Sequence, residues 1–284
     1  MNSRFPEHLR RKTIHSGKTT MVEKLLSRLN LSTVCQSARC PNRNECYGHG
    51  TATFLLMGDV CTRRCRFCAV KKGMTAPVDE SEPERVAEAA FLLNLKHVVL
   101  TSVTRDDLAD GGARHFKETI IAIRKRLPDS TIETLIPDLM GNADALQIIL
   151  SAHPDVLNHN VETVPRLYHE IRPDADYQRS LSILRMSKAM APEIATKSGL
   201  MLGMGETKEE ILSVLYDLRL QGCNALTLGQ YLAPTPKHYP VKEYISPKTF
   251  DDWKGQAEAM GFQYVASAPY VRSSYHAEQI FLKG

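Results

Sequence analysis

From residue 52 onward, short apolar segments alternate with longer amphipathic ones, and this alternation constrains the fold more than any other feature. The apolar segments are bounded by turn residues and predict buried strands, whereas apolar spacings of three and four residues predict helices. The predicted strands cover 52–58, 97–103, 131–136, 155–160, 194–202, 225–231 and 263–268. The predicted helices cover 20–29, 82–95, 112–126, 143–153, 164–168, 177–190, 208–221 and 247–260.

Strands that alternate with helices form parallel βα units with right-handed connections. Because six or seven such units fall short of the eight that close a barrel, the sequence predicts an α/β fold, a partial (β/α)6 parallel barrel. An irregular N-terminal extension over 1–50 and a C-terminal tail over 269–284 are expected to flank the barrel of 51–268. Ser81-x-x-Glu84 predicts a capping box at the start of one helix.

Composition limits the partners and the cellular compartment that we expect for the protein. A net charge of +4 and a pI of about 8.6 are too weakly basic to favour a nucleic-acid partner. No apolar run approaches the roughly 20 residues of a membrane span, and the first twelve residues lack the apolar stretch of a signal peptide. We therefore expect a cytoplasmic protein, in which clustered cysteines are metal ligands or catalysts more often than disulfides.

Six of the seven cysteines fall into two triplets with different spacings. The first has the spacing CxxxxCxxxxxC and the second CxxxCxxC; they comprise Cys35, Cys40, Cys46 and Cys61, Cys65, Cys68. Three thiolates on a cubane iron–sulfur cluster leave one iron open, whereas zinc sites normally require four ligands. The spacing favours two open clusters, with zinc or unliganded thiols as the alternatives.

The second triplet lies in the loop GDVCTRRCRFCAV, residues 58–70, which resembles the signature loop of the radical S-adenosylmethionine superfamily. The resemblance implies a 4Fe–4S cluster that binds S-adenosylmethionine and generates a 5′-deoxyadenosyl radical. It also implies that Phe67 packs near the adenine, although a core aromatic would fit the same pattern. From the residues themselves, Arg63, Arg64 and Arg66 are expected to lower the pKa of the neighbouring thiols.

The first triplet, in VCQSARCPNRNEC over 34–46, resembles the auxiliary-cluster motif of the lipoyl synthase family. Further segments resemble that family at 101–113, 135–138, 158–168, 196–201 and 271–277. The last of them contains Arg-Ser-Ser-Tyr, in which the family resemblance makes Ser274 the fourth ligand of the auxiliary cluster. The cofactors implied are therefore two 4Fe–4S clusters and S-adenosylmethionine.

The family resemblance also implies a reaction and its partners. Two sulfur atoms from the auxiliary cluster would enter C6 and C8 of an octanoyl chain on a lysine. The carrier would be a lipoyl domain of a 2-oxoacid dehydrogenase E2 component or the glycine cleavage H protein, with ferredoxin or flavodoxin as electron donor. Other radical enzymes with an auxiliary cluster, such as methylthiotransferases, share only the CxxxCxxC loop, and a zinc module on a barrel is the rival outside enzymes.

Polar residues at the predicted strand ends are candidates for binding S-adenosylmethionine. A cation suits its carboxylate, and a carboxylate suits its ribose hydroxyls. The alternative is that they are satisfied polar groups of βα loops, or simple core in the case of the methionine. The candidates are Thr104, Asp106, Asn160, Glu162, Arg172, Lys197, Phe67 and Met201.

Overall fold

The computed structural model describes residues 5–10 and 16–281, so parts of both predicted extensions (1–4, 11–15 and 282–284) lie outside the described residues. Eight strands form the main sheet and two short ones form a separate pair. In chain order the strands are β1 (Ser32–Thr33), β2 (Thr53–Leu56), β3 (Val60–Cys61), β4 (Lys71–Lys72), β5 (His97–Ser102), β6 (Thr131–Leu135), β7 (Val156–Asn158), β8 (Ala195–Leu202), β9 (Ala225–Gln230) and β10 (Tyr264–Ser267).

Helices connect the parallel strands and cover the outer face of the sheet. None of the helices in the described part of the chain is long and apolar enough to cross a bilayer. They are α1 (Gly17–Arg28), α2 (Val34–Ser37), α3 (Arg43–Gly48), α4 (Glu82–Leu92), α5 (Ala113–Arg126), α6 (Ala143–Leu150), α7 (Pro165–Ile171), α8 (Tyr177–Met190), α9 (Lys208–Leu220) and α10 (Pro247–Ala259). Short 3-10 turns lie at Glu7–Leu9, Leu139–Gly141 and Ala277–Phe281.

The sheet runs β1-β2-β5-β6-β7-β8-β9-β10, with β1 antiparallel to β2 and every other pair parallel. The order begins at β1 and ends at β10, so the curved sheet is open, as the sequence predicted. Helices make the six crossovers between the seven parallel strands. Each predicted strand and helix from residue 52 onward is present, with ends within a few residues of the expected bounds.

Two local predictions are wrong. The extension before the barrel contains the predicted helix, as α1, but is not otherwise irregular, because α2 and α3 also fold between 34 and 48, and Leu26 and Tyr47 are buried in the same core as the first half of the barrel. Ser81 makes no side-chain cap to α4. Its hydroxyl donates instead to Asp79 Oδ1 at 2.7 Å. The motif Ser-x-x-Glu does not show which of these two partners the serine takes.

The turn after β2 positions the cysteine loop and depends on close backbone contacts. Met57 and Gly58 both have positive φ, 64° and 91°. The Met57 N–H donates to Glu82 Oε2 at 2.8 Å, and the same oxygen lies 2.6 Å from His115 Nε2. Gly112, before α5, also has a positive φ, and a Cβ there would lie 2.3 Å from Met57 Sδ. A side chain at 112 would therefore displace the end of the buried Met57 side chain and would strain the backbone at this positive φ.

Gly112→Ala is expected to destabilise the fold by about 1–3 kcal/mol, since it combines backbone strain with a buried clash. Gly255→Ala is the matched control: Gly255 lies within α10 and a Cβ there meets nothing within 4 Å. Because alanine is the better helix former, that variant should gain about 0.5–1 kcal/mol. Urea unfolding of both variants measures the difference, and an equal effect of the two would contradict this view of the turn.

Candidate functional site

A cavity of about 510 Å³ opens at the carboxyl ends of the parallel strands. Both cysteine-bearing segments and the C-terminal tail border it. Five of the six triplet cysteines line its wall, together with Ser274 of the tail: Cys35, Cys40, Cys61, Cys65 and Cys68. The fold thus brings together two motifs that are separate in sequence and a third that lies more than 200 residues away.

Backbone contacts hold the loop of the second triplet. Cys61 Sγ accepts from the N–H of Thr104 at 3.3 Å, directly after β5. The Arg66 N–H donates to Ile171 O at 2.8 Å, and the Tyr239 N–H donates to Arg66 O at 2.9 Å. The loop is therefore attached to three different βα units, which fixes the direction in which its thiols point.

Arg63 lies at the centre of a buried ionic cluster beneath this loop. Its guanidinium contacts both oxygens of Asp106, at 2.7 and 2.9 Å, and both oxygens of Asp138. The Arg63 side chain is 4% exposed and that of Asp138 is fully buried. Although burial opposes ionisation of Asp138, Arg63 holds the pKa of that carboxyl below its ordinary value. This planar, doubly bidentate arrangement suits arginine and not lysine.

The three loop arginines were expected to lower the pKa of the neighbouring thiols. This prediction is wrong for two of the thiols, whose pKa is raised. Burial raises the pKa of Cys65, and it raises that of Cys68 to about 12. Arg63 does act to lower the pKa of Cys65, but burial outweighs it, and the other two guanidinium groups face carboxylates: Arg64 pairs with Asp174 and Arg66 with Glu170. Cys65 and Cys68 therefore depend on a bound metal, not on the arginines, to ionise.

The first triplet also converges, in the turns around α2 and α3. Cys35 is buried, and the Cys40 N–H donates to Cys35 O at 3.0 Å. Burial and the neighbouring thiols raise the pKa of Cys35 to about 11 and that of Cys46 to about 12. Among residues 5–10 and 16–281, no three Cys, His, Asp or Glu side chains converge closely enough for one metal ion. A cubane does not require this, since each thiolate binds its own iron.

A cluster of unsatisfied polar atoms lies at the carboxyl end of β7. His159 Nε2, Asn160 Oδ1 and Arg172 Nε are buried without a hydrogen-bond partner among the described residues, and all three side chains border the cavity. Buried polar groups are normally paired, so their convergence indicates a polar ligand. His159 Nδ1 lies 2.9 Å from Ile136 O, which leaves Nε2 as an acceptor. Two acceptors and a cationic donor fit the ammonium and carboxylate of an amino acid group.

Glu162 occupies a strained position beside this cluster. Its φ of 66° is uncommon outside glycine, and two hydrogen bonds to β8 hold it: its N–H donates to Gly199 O and its O accepts from the Met201 N–H. Burial raises the pKa of its carboxyl, while Arg172 and Asn160 oppose that shift. Such strain, of order 1–3 kcal/mol, often marks a functional position.

Of the eight candidates for S-adenosylmethionine, six border the cavity and two do not. Those that border it are Thr104, Asn160, Glu162, Arg172, Phe67 and Met201. Asp106 is bonded to Arg63. Lys197 is fully buried within the barrel, where Nζ lies 3.0 and 2.9 Å from the two oxygens of Glu133 and 2.6 Å from Ser273 O. Neither residue borders the cavity, so we propose no ligand contact for either.

Sequence reasoning missed the polar pair inside the barrel and the unsatisfied His159. A signal for the pair was present: Glu133 and Lys197 are charged residues within strands that are otherwise buried, and buried charges require partners. For His159 no such signal exists in the sequence, because the lack of a hydrogen-bond partner at Nε2 follows from how the chain folds after β7.

Comparison with known proteins shows which family has a sequence like this one. Residues 55–218 match the model of the Radical SAM superfamily. The lipoyl synthase of Caldanaerobacter subterraneus subsp. tengcongensis is 54% identical over 98% of this chain and 97% of its own length. The lipoyl synthase of Desulfotalea psychrophila is 55% identical over 98% and 93%, respectively.

Solved structures with low sequence identity are also similar. Methylornithine synthase aligns with a TM-score of 0.58 at 15% identity, over 91% of this chain and 84% of its own. HydG, a maturase of the FeFe-hydrogenase, aligns with a TM-score of 0.60 at 14% identity, over 74% and 50%. At these identities the likeness establishes a shared fold alone.

Arg63→Lys is expected to lower the free energy of unfolding by roughly 1.5–3 kcal/mol, because lysine cannot hold both carboxylates bidentately and one of them, Asp138, is fully buried. Arg64→Lys, one residue along, is the matched control, since that side chain is 73% exposed and its ion pair is screened by water. Chemical unfolding provides the measurement. An unchanged stability of the Arg63 variant would show that the ionic cluster does not hold the loop.

His159 should make the stability of the fold depend on pH. Burial lowers the pKa of its imidazole to about 4 from the usual value near 6.5, so the unfolded chain binds a proton first as the pH falls. The stabilisation from neutral His159 is full at pH 7 and should decrease by about 2 kcal/mol by pH 5. In His159→Gln that part of the decrease should vanish, with His169→Gln as control for the substitution itself. Parallel pH profiles in wild type and His159→Gln would refute this.

Proposed function

The chain belongs to the lipoyl synthase family of radical S-adenosylmethionine enzymes, and on that premise we propose that it inserts two sulfur atoms into a protein-bound octanoyl chain, at C6 and C8. The observation that carries the proposal is the convergence of five of the six triplet cysteines, from both triplets, and Ser274 on one cavity. A single flexible acyl chain in that cavity could reach both centres, one that forms radicals and one that supplies sulfur.

The donor sets fit the two clusters of the family. The radical cluster would be held by the thiolates of Cys61, Cys65 and Cys68. The auxiliary cluster would be held by Cys35, Cys40, Cys46 and the hydroxyl of Ser274. When bound, the first cluster with S-adenosylmethionine supplies the 5′-deoxyadenosyl radical, and the second supplies sulfide. Serine is a harder and more weakly held iron ligand than cysteine, which suits a cluster that must come apart.

The residues at the end of β7 would bind the methionyl part of S-adenosylmethionine. Arg172 Nε would donate to its carboxylate, while Asn160 Oδ1 and His159 Nε2 would accept from its ammonium group; the support is that all three atoms are buried without a partner and their side chains border the cavity. Glu162, held in its left-handed conformation, would accept from the ribose hydroxyls. Phe67 and Met201 border the same cavity and would pack on the adenine. These contacts orient the sulfonium and exclude water from it.

The remaining wall of the cavity suits an acyl chain. Apolar side chains from several strands border it, including Leu55, Val103, Leu200 and Val271. We assign to this wall the octanoyl chain on the lysine of a lipoyl carrier domain. Within this proposal the carrier is an E2 component or the glycine cleavage H protein, the electron donor is ferredoxin or flavodoxin, and the setting is the cytoplasm. We propose that the chain is divided into an extension of 1–50, a barrel of 51–268 and a tail of 269–284.

The two triplets should be separable by substitution. In Cys65→Ala, the reconstituted protein should lose production of 5′-deoxyadenosine because the radical cluster is lost. In Cys40→Ala, 5′-deoxyadenosine should still form with an octanoyl-lysine peptide, while sulfur insertion stops. Cys223→Ala is the control, since Cys223 is buried outside the cavity. Chromatography of the nucleoside and mass spectrometry of the peptide give the two readouts.

Sulfur insertion by the Cys40 variant would eliminate the first triplet as the sulfur source. Retained nucleoside production by the Cys65 variant would likewise eliminate the second triplet as the radical centre. Either result would leave the family's reaction without the residues assigned to it above.

A further inference from the structure

All three hydrogens of the Lys197 ammonium are engaged inside the barrel. Two contacts go to the carboxylate of Glu133 and the third, at 2.6 Å, to the backbone oxygen of Ser273. Both charged side chains are fully buried. The Glu133 carboxylate also accepts from Asn158 Nδ2 at 2.8 Å. Because an ammonium has three donors, Lys197 has none left for a ligand in the cavity.

Ser273 is held a second time, through its side chain. Asn160 Nδ2 lies 2.6 Å from Ser273 Oγ, so the backbone and the side chain of this one residue are both attached to the barrel. On the other side of Ser274, the hydroxyl of Tyr275 donates to Glu45 Oε1 at 2.6 Å, next to Cys46. Ser274 is therefore the residue between one attachment to the barrel and one to the extension that carries the first triplet.

The tail also lies directly against the sheet. A Cβ at Gly229, in β9, would lie 2.1 Å from Val271 O, so only glycine permits this approach. Asn42 Nδ2 donates to Tyr270 O at 2.7 Å and continues the connection to the extension. The residues before Ser273 lie against the backbone of β9. This contact brings the carbonyl of Ser273 to the buried ion pair.

We propose that Lys197 is a positioning residue that, with Glu133 as its counter-ion, anchors the C-terminal tail and presents Ser274 to the auxiliary cluster. This inference rests on the proposed role of Ser274 in the function above. A lysine suits the task because a charge-assisted hydrogen bond to a carbonyl is stronger than a neutral one. Glu133 supplies the opposite charge that a buried ammonium requires.

The test uses the reconstituted full-length chain and a double variant, Lys197→Met with Glu133→Gln. Lys197→Met alone would leave a buried carboxylate without its counter-ion, which can prevent folding, whereas removal of both charges is often tolerated. Glutamine at 133 keeps an acceptor for Asn158. Ser274→Ala is the matched comparison, because it removes the proposed ligand and leaves the anchor. Arg124→Met removes a different ion pair, with Asp155, and controls for loss of a charge.

The first readout is anaerobic hydrogen–deuterium exchange of the backbone amides at 273–276. In the double variant these should exchange at least about tenfold faster, the factor expected for loss of one charge-assisted hydrogen bond. In Ser274→Ala and Arg124→Met they should exchange as in wild type, and the melting temperature serves as the check that each variant is folded. Unchanged exchange in a folded double variant would overturn the proposal.

The second readout is the iron retained by the auxiliary cluster during exposure to a chelator, measured in a Cys65→Ala background that lacks the radical cluster. The double variant and Ser274→Ala should both lose iron several-fold faster than the background protein. If only Ser274→Ala does so, the anchor does not serve the ligand and the inference fails. If Ser274→Ala retains iron as the background does, the role of Ser274 in the proposed function fails, and the exchange data still decide whether Lys197 holds the tail.

Discussion

Seven neighbouring strands, from β2 to β10, run parallel, and their carboxyl ends therefore meet at one edge of the curved sheet. The part of the site that the barrel contributes depends on this constraint. The cysteine loop follows β2, the anchor of Cys61 follows β5, and the unsatisfied polar atoms of His159 and Asn160 follow β7. Residues about 100 positions apart thus face one cavity. The βα loops therefore bring together the residues proposed to bind the radical cluster and S-adenosylmethionine, and no long insertion is needed.

The first triplet lies outside the barrel, and its place at the same cavity depends on both ends of the chain. Burial of Leu26 and Tyr47 joins the extension to the core of the first half of the barrel. From the other end, the tail contacts Asn42 and Glu45 with residues 270 and 275. The two chain ends therefore form one wall of the site, and the serine in the tail is a neighbour of the cysteines because of long-range contacts.

The sequence predicted the elements of the barrel well because apolar periodicity is a local property. It predicted the cavity-lining roles of Asn160, Glu162 and Arg172 as far as their location, since strand order alone brings them to one edge. It did not predict the partner of Lys197, because a cation in a strand is equally consistent with a ligand contact and a buried counter-ion. It did not predict that Asp106 pairs with Arg63, because a loop carboxylate has no fixed partner in the sequence. It predicted α1 but not α2 and α3, because such short helices are stabilised by packing and not by propensity.

Iron anomalous diffraction from crystals of the anaerobically reconstituted, full-length protein tests the central claim most directly, since it locates each metal centre without reference to activity. The account predicts two four-iron peaks that both border the cavity of about 510 Å³, one beside Cys61 and one between Cys40 and Ser274. A single peak, or a second peak that the sheet separates from this cavity, would contradict it.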